Sequence, residues 1–161
     1  MAMTSYLKVT AKDQGEIKGD CSQEGREDLI LVYSIDHKVE IPRDTHSGLP
    51  TGQRLHKPFE IVKHKDKSSP GLFQACCSGE QMDTELKFYR ITEAGKEEHY
   101  FTIKLENAII VEMQEYNPLV FLEESKPYKD MEKVSFTYEK IIWTYEPDGI
   151  ETEDSWKAPK S

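Results

Sequence analysis

The chain is poor in cysteine and has no long hydrophobic run. Its three cysteines among 161 residues are an odd number without a CxxC pair, which argues against a disulfide framework. No segment approaches the ~20 apolar residues of a membrane span. The first residues, MAMTSYLKVTAKD, lack the basic start and apolar centre of a signal peptide. We therefore expect a chain that folds in the cytosol and does not insert into membranes.

The usual signatures of metal, phosphate and nucleic-acid sites are also missing. The five histidines are scattered, with no HxH or HxxxH pair. The acidic stretch after Asp148 lacks the ligand spacing of a calcium loop, and segment 48–54 has Gln53 where a P-loop needs its lysine. A net charge of −9 disfavours a nucleic-acid partner. We expect no metal, no cofactor and no nucleic acid.

A catalytic cysteine is the remaining candidate for enzyme chemistry. Cys76 or Cys77 beside His64 or His99 could form a Cys–His nucleophile. Both cysteines, however, lie on the apolar face of a predicted helix, where cysteine behaves as a small hydrophobic residue. We therefore expect core packing, assign no catalytic residue and predict that the chain is not an enzyme.

What the chain does carry is the period-two hydrophobic pattern of a β protein. In residues 54–66 the odd positions Leu55, Phe59 and Ile61 are apolar, and Lys63 and Lys65 are expected toward the exposed end of the strand. A bend or bulge is predicted near Asn107. Strands are predicted over residues 6–10, 16–21, 29–39, 54–66, 85–92, 99–115 and 134–145. The length predicts a single domain, 1–161, ending in an acidic tail over 146–161.

One short helix interrupts the strands. Ser69 can cap its start, Pro70 suits its first position, and Gly79 can adopt the left-handed conformation that ends it. The residues expected on its buried face are Leu72, Phe73, Cys76 and Cys77.

Two long connections stand out, over residues 41–53 and 116–128. The first is too long for a hairpin turn and has no helical pattern. Loops of this length tend to be functional or mobile. Two interpretations stay open: a flexible linker, or an arm that reaches a neighbouring subunit.

Charge is unevenly distributed along the chain. Residues 54–67 carry five basic side chains, whereas residues 146–154 are acidic with no basic side chain. These segments are either ordinary solvated surface or complementary patches that pair one subunit with another.

Three segments together resemble a known family. They are KPFEIVKHKDKSSPGLFQACCSGE, EHYFTIKLENAII and MEKVSFTYEKIIWTYEPDGI. They resemble the haemolysin-coregulated protein (Hcp) family, the tube subunit of bacterial type VI secretion systems. The resemblance implies a mainly β fold: an antiparallel β-barrel of two sheets with one short flanking α-helix, assembling into a hexameric ring.

The resemblance also implies function and partners. Rings stack into a tube that carries effectors in its lumen, and the protein is itself secreted through the type VI apparatus. The implied partners are further copies of the chain, a VgrG-like spike protein, the sheath and effector proteins. The alternative from another class is a small-ligand-binding β-barrel protein, which would need an apolar interior pocket.

Individual sites follow from the resemblance as well. Ser34, within YSIDH, occupies the position that the family places on the inner wall, which implies contact with effectors. A small polar residue on a solvated strand face fits the same pattern. The loop residues expected to act in ring packing and stacking are Arg43, Asp44, Thr45, His46, Leu49 and Thr51.

Overall fold

The computed structural model of the protein describes residues 1–157. Within this range the chain forms twelve strands, one α-helix and a short 3₁₀ turn. The elements are β1 (Ser5–Ala11), β2 (Gly15–Ile17), β3 (Ile30–Val32), β4 (Ser34–Asp36), β5 (Val39–Glu40), β6 (Leu55–His56), β7 (Phe59–His64), α1 (Ser69–Ser78), β8 (Met82–Ile91), β9 (Glu97–Tyr116), the 3₁₀ turn (Glu123–Ser125), β10 (Met131–Thr137), β11 (Lys140–Tyr145) and β12 (Ile150–Ser155).

Two antiparallel sheets share the long strand β9. The first runs β2-β1-β8-β9-β11-β12, with β3 also paired to β1, and the second runs β9-β10-β7-β4. Within the described part of the chain, strands β5 and β6 form a separate two-stranded sheet. The predicted mainly β class with antiparallel sheets and one helix is confirmed. The prediction of a closed barrel is wrong, because within residues 1–157 no ladder joins β4, the outer strand of the second sheet, to β2, β3 or β12, the outer strands of the first.

Strand β9 changes sheets at a bulge. Ala108 lies opposite Met82, but Leu105 lies opposite Thr84, so β9 has one residue more than β8 across this interval. Asn107 has a φ of 50°, in the left-handed region that asparagine tolerates better than most residues. The bend predicted at Asn107 is confirmed. Beyond it, β9 continues as the partner of β10.

The chain also changes from the first sheet to the second between β3 and β4. Residues 29–39 were predicted as one strand, and this is wrong. Strand β3 pairs with β1, whereas β4 pairs with β7, and the Tyr33 N–H between them donates to the Val62 carbonyl at 2.8 Å. The chain therefore crosses between the sheets here as well as at Asn107.

Helix α1 covers one side of β9 and ends as predicted. Gly79 has a φ of 69°, and its N–H donates to the Ala75 carbonyl. The helix begins one residue earlier than expected, with Ser68 at the cap position and no side-chain capping bond. These end positions follow from local chain preferences.

The buried face of the helix was predicted wrongly. Leu72 and Ala75 are fully buried, and Cys76 packs partly against the core. Phe73 is 62% exposed and Cys77 is also exposed. The helix is thus turned by about one residue, roughly 100°, from the predicted orientation. The spacing of apolar residues in the sequence predicts an apolar stripe on the helix, but it does not determine which edge of that stripe faces the sheets.

The C-terminal segment is not the free acidic tail that was predicted. Residues 150–155 form β12, which pairs with β11 along its length through a turn at Gly149. Trp156 packs against the hydrophobic core. The predicted strand 134–145 is in fact two strands, β10 and β11. Residues 158–161 of the predicted tail lie outside the described residues.

Lys63 is the least expected member of the core. The sequence placed it at an exposed strand end, yet its side chain is 0% exposed. Its ammonium forms an ion pair with the buried Glu132, lies 3.1 Å from Asp66 and donates to the Ser69 hydroxyl at 3.3 Å. These contacts join β7 and β10 to the start of α1. A buried lysine is tolerable only with such partners.

Replacing Lys63 with alanine should therefore destabilise the protein by about 3–5 kcal/mol, because Glu132 would be left buried without its cation. The matched control is Lys65→Ala, since Lys65 makes an exposed pair with Glu115 at 3.3 Å. That change should cost no more than about 1 kcal/mol. The measurement is the free energy of unfolding in urea. Equal losses for both variants would contradict a structural role for the buried pair.

Candidate assembly interface

Residues 39–56 form a projecting hairpin, which we call the arm. Strands β5 and β6 make its base, and Arg43 pairs with Pro50 further out. The Asp44 N–H donates to the Leu49 carbonyl at 2.9 Å, and Gly48, with a φ of 73°, closes the turn. The prediction that this connection is too long for a hairpin is wrong. Backbone pairing extends the hairpin almost to its tip.

The tip of the arm is ordered by one aspartate. The Asp44 carboxylate accepts from the His46 N–H at 3.0 Å and from the Ser47 hydroxyl at 2.9 Å. The hydrogen bond from the His46 backbone is the main cause that lowers the pKa of Asp44. The residues predicted for ring packing and stacking are all exposed on this part of the arm: Arg43, Asp44, Thr45, His46, Leu49 and Thr51.

The base of the arm rests on a buried imidazole. His56 in β6 is 3% exposed, and its Nδ1 lies 2.7 Å from the Tyr138 hydroxyl. Its Nε2 lies 2.8 Å from the Asp154 carboxylate in β12. Arg54 donates from Nε and Nη2 to both oxygens of the same carboxylate. The indole ring of Trp156 stacks on the His56 ring.

The geometry assigns one proton in this cluster. An ionised carboxylate only accepts, so the His56 Nε2–H donates to Asp154. The Tyr138 hydroxyl lies between two imidazoles, 2.7 Å from the His56 Nδ1 and 2.8 Å from the His37 Nε2.

The pKa shifts follow from burial and from these contacts. Burial acts to raise the pKa of Asp154, but the hydrogen bonds from Arg54 and His56 outweigh it and lower the pKa to about 2. Burial raises the pKa of Tyr138, with the Asp154 charge adding to the effect. Burial, followed by the proximity of His56, lowers the pKa of His37. Asp154 is therefore ionised at neutral pH and Tyr138 is protonated.

A hydroxyl, an imidazole and a carboxylate in sequence resemble a catalytic relay, but this cluster does not suit that role. The Tyr138 hydroxyl is a poor nucleophile because its pKa is raised, and the residue is only 4% exposed. Burial likewise raises the pKa of the Cys76 thiol and disfavours the thiolate. His64 and His99 instead make ring contacts with Tyr33 and Tyr89.

Residues 1–157 contain neither a metal-binding cluster nor a membrane-spanning helix. Within residues 1–157, no three His, Cys, Asp or Glu side chains are grouped so that they could hold a metal ion. Over that range, no helix has the length and apolar character needed to cross a membrane.

The charged segments noted in the sequence are paired within the subunit. Arg54 binds Asp154, which joins the basic segment 54–67 directly to the acidic segment 146–154. The remaining basic side chains of the first segment also have acidic partners in the same chain: Lys57 with Glu40, Lys63 with Glu132, Lys65 with Glu115 and Lys67 with Asp28. Pairing between subunits is therefore not needed to explain the charge of the basic segment.

A second surface was missed in the sequence. In the connection between β9 and β10, Val120 is 84% exposed and Phe121 is 79% exposed, and Leu119 is exposed beside them. We call residues 119–122 the apolar loop. Its base is held by the 3₁₀ turn, where Lys126 pairs with Glu123 at 2.7 Å. The signal was present as LVFL between a proline and two glutamates.

Ser34 lies on the outer face of the second sheet. It is exposed in β4 opposite Val62, and the same cross-strand row continues through Lys133 and Gln114. Ser34 also borders a surface cleft of about 400 Å³ whose lining includes Tyr33 and Tyr100. The side chain is therefore accessible to another molecule. It lies apart from the predicted arm residues in sequence and belongs to a different sheet.

Comparison with known proteins defines the class to which this fold belongs. The family model described as "Type VI secretion system effector, Hcp" matches residues 6–145. The "Major exported protein" of Pseudomonas aeruginosa is 42% identical over 169 aligned positions, covering 99% of this chain and 98% of that protein.

Solved structures give the same result. The Hcp1 protein of the Escherichia coli EAEC 042 pathovar is 35% identical, with a TM-score of 0.85 over 96% of this chain and 99% of that one. The secreted protein Hcp3 from Pseudomonas aeruginosa is 37% identical, with a TM-score of 0.77 over 94% of this chain and 99% of that one.

The protein is thus a type VI secretion system component with the fold of the secreted Hcp proteins. The chain belongs to the Hcp family, as its sequence motifs predicted. It is a secreted protein and a subunit of the type VI tube.

The Asp154 contacts generate a prediction about acid stability. The pKa of Asp154 in the folded protein is about 2, below the ordinary value of about 3.9 in an unfolded chain. Its ionised form therefore stabilises the fold above about pH 4, and this contribution is lost as pH falls toward about 2. The difference in unfolding free energy between the wild type and Asp154→Asn should shrink over that interval.

The measurement is urea unfolding at several pH values between about 5 and 2. Glu151→Gln is the control, because Glu151 is an exposed carboxylate on the same strand that makes no contact with Arg54 or His56 and accepts from the Thr144 hydroxyl at 3.4 Å. Its difference from the wild type should stay nearly constant. A difference for Asp154→Asn that does not change with pH would contradict the assigned contacts.

Proposed function

We propose that the chain acts as a hexameric ring whose copies stack into the type VI tube and carry effectors in the lumen. In this proposal residues 1–161 act as one unit that folds in the cytoplasm before export. The partners are further copies of the chain, a VgrG-like spike protein, the sheath and effector proteins. The role is structural, without catalysis.

The observation that carries the proposal is the amount of bulky apolar surface left exposed at two places. Val120 and Phe121 of the apolar loop are almost fully exposed, and Leu49 at the arm tip is 65% exposed. Concentrated apolar exposure of this kind marks protein–protein contact surfaces. A ring uses heterologous contacts, in which one surface of a subunit meets a different surface of the next. Two separate apolar surfaces fit that requirement.

The alternative, a small-ligand-binding β-barrel, has less support. The space enclosed between the sheets by Leu7, Phe59, Leu86 and Phe136 has no room for a water molecule. Ligand-binding barrels need an interior cavity. Here apolar side chains fill that position.

The arm should be needed for assembly and not for folding. Replacing residues 43–50 with Asn-Gly shortens the arm, and the change should alter the unfolding free energy by no more than about 1 kcal/mol, because the segment is exposed and contributes little to the core. Light scattering should show ring-sized particles for the wild type and smaller species for the variant.

Two outcomes would count against this role of the arm. Loss of soluble expression would make the arm part of the folded core. Full-sized rings without the arm would remove it from the assembly interface.

Ser34 should matter for cargo rather than for folding. Ser34→Glu adds a charge and bulk once per subunit, so the change is repeated around a ring and weakens multivalent contacts with cargo. Stability should change by no more than about 0.5 kcal/mol, because the residue is exposed. The measurement pairs ring mass with co-purification of an effector.

Ser22→Glu is the matched control, since Ser22 is exposed outside the strands. Intact rings that retain every effector tested would remove Ser34 from the lumen. Loss of rings in the Ser34 variant would place it at a subunit contact instead.

A further inference from the structure

The arm is attached to the rest of the subunit in an unusual way. Its strands, β5 and β6, form a two-stranded sheet that, within residues 1–157, has no ladder to either main sheet. The arm continues from the β4–β7 pair through one backbone hydrogen bond, from the Lys57 N–H to the Lys38 carbonyl at 3.0 Å. The ladder is interrupted on either side of this bond, so side-chain contacts at the base of the arm help to fix the direction in which it projects.

We propose that Asp154 is a positioning residue that fixes the direction of the arm before subunits associate. This inference rests on the proposed role of the arm in assembly. Asp154 belongs to β12, which the β11 ladder ties along its length to the first sheet. A contact to Asp154 thus ties the arm to a rigid element.

The contact geometry restricts rotation of the arm. Arg54 and His56 lie two residues apart on the returning side of the arm, and both bind the one carboxylate of Asp154. The Arg54 guanidinium uses two nitrogens, so the pair is fixed in angle as well as in distance. The His56 ring is held in turn by the Tyr138 hydroxyl and by stacking on Trp156.

Burial makes these contacts durable. The His56 side chain is almost fully buried, and the side chains of Arg54 and Asp154 are both mostly covered. Water therefore competes weakly for the carboxylate. An amide in place of the carboxylate would lose the charge and could not accept from Arg54 and His56 as two oxygens do.

A fixed arm would lower the cost of assembly. Ordering a flexible segment during association reduces affinity, whereas a segment already held in its bound direction avoids that cost. Asp154 would act on assembly without touching the neighbouring subunit. Its effect should therefore appear in the isolated subunit as well as in the ring.

The test measures arm direction and assembly on the same full-length variants. Spin labels are placed at Leu49→Cys, on the arm tip, and at the native exposed Cys77 on α1, with Cys76→Ser to prevent a second label on the helix. The labelled protein is diluted into excess unlabelled protein, so that only distances within one subunit are measured. Ring mass against concentration is recorded on unlabelled protein.

Asp154→Asn should broaden the distance distribution and weaken ring association at least about tenfold, which is about 1.4 kcal/mol. Glu151→Gln removes a carboxylate from the same strand and should leave the distances and ring association at wild-type values. Should Asp154→Asn fail to fold, Arg54→Gln retains the His56–Asp154 bond and should change both readouts in the same direction.

Several results would overturn the proposal. A narrow, unchanged distance distribution in Asp154→Asn would show that the arm is held by other contacts. A broad distribution with unchanged ring association would show that arm direction does not govern assembly. If the wild type forms no ring, the proposed function fails, and the distance measurement still decides whether Asp154 fixes the arm.

Discussion

The structure depends on one strand that belongs to two sheets. Strand β9 pairs with β11 before Asn107 and with β10 after it, and its pairing with β8 ends just past Asn107, at Ala108. The left-handed residue and the bulge let one continuous chain turn from the first sheet into the second. The two sheets are therefore covalently fixed at this point. The core between them and the position of helix α1 against β9 both follow from that turn.

Ion pairs between charged side chains add contacts between elements of the fold. Lys63 and Glu132 join two strands of the second sheet, and contacts from Lys63 to the Asp66–Ser69 region anchor the start of the helix. Arg54 and Asp154 play the corresponding role at the base of the arm. In both places charged groups are removed from water, so each is tolerated only because its partner is held by another element.

The separation of polar and apolar side chains on the surface is consistent with a subunit of a larger assembly. The face that carries Ser34 is polar, whereas the arm tip and the apolar loop expose bulky apolar side chains. Exposed apolar side chains of this kind suit the assembly proposed above. The basic side chains of segment 54–67 have acidic partners within the subunit.

The sequence by itself determined the local features: the mainly β class, the position of the single helix, its end at Gly79 and the bend at Asn107. It also determined the family, because the motifs are contiguous. Each depends on neighbouring residues and chain preference. Only the tertiary structure decided which edge of the helix is buried, that Lys63 is internal, that residues 41–53 form a paired arm, and that sequence-distant Arg54 and Asp154 meet. These outcomes depend on partners that folding brings together. From sequence alone a charged residue such as Lys63 is predicted to be exposed, because the partner that allows its burial is distant in the chain.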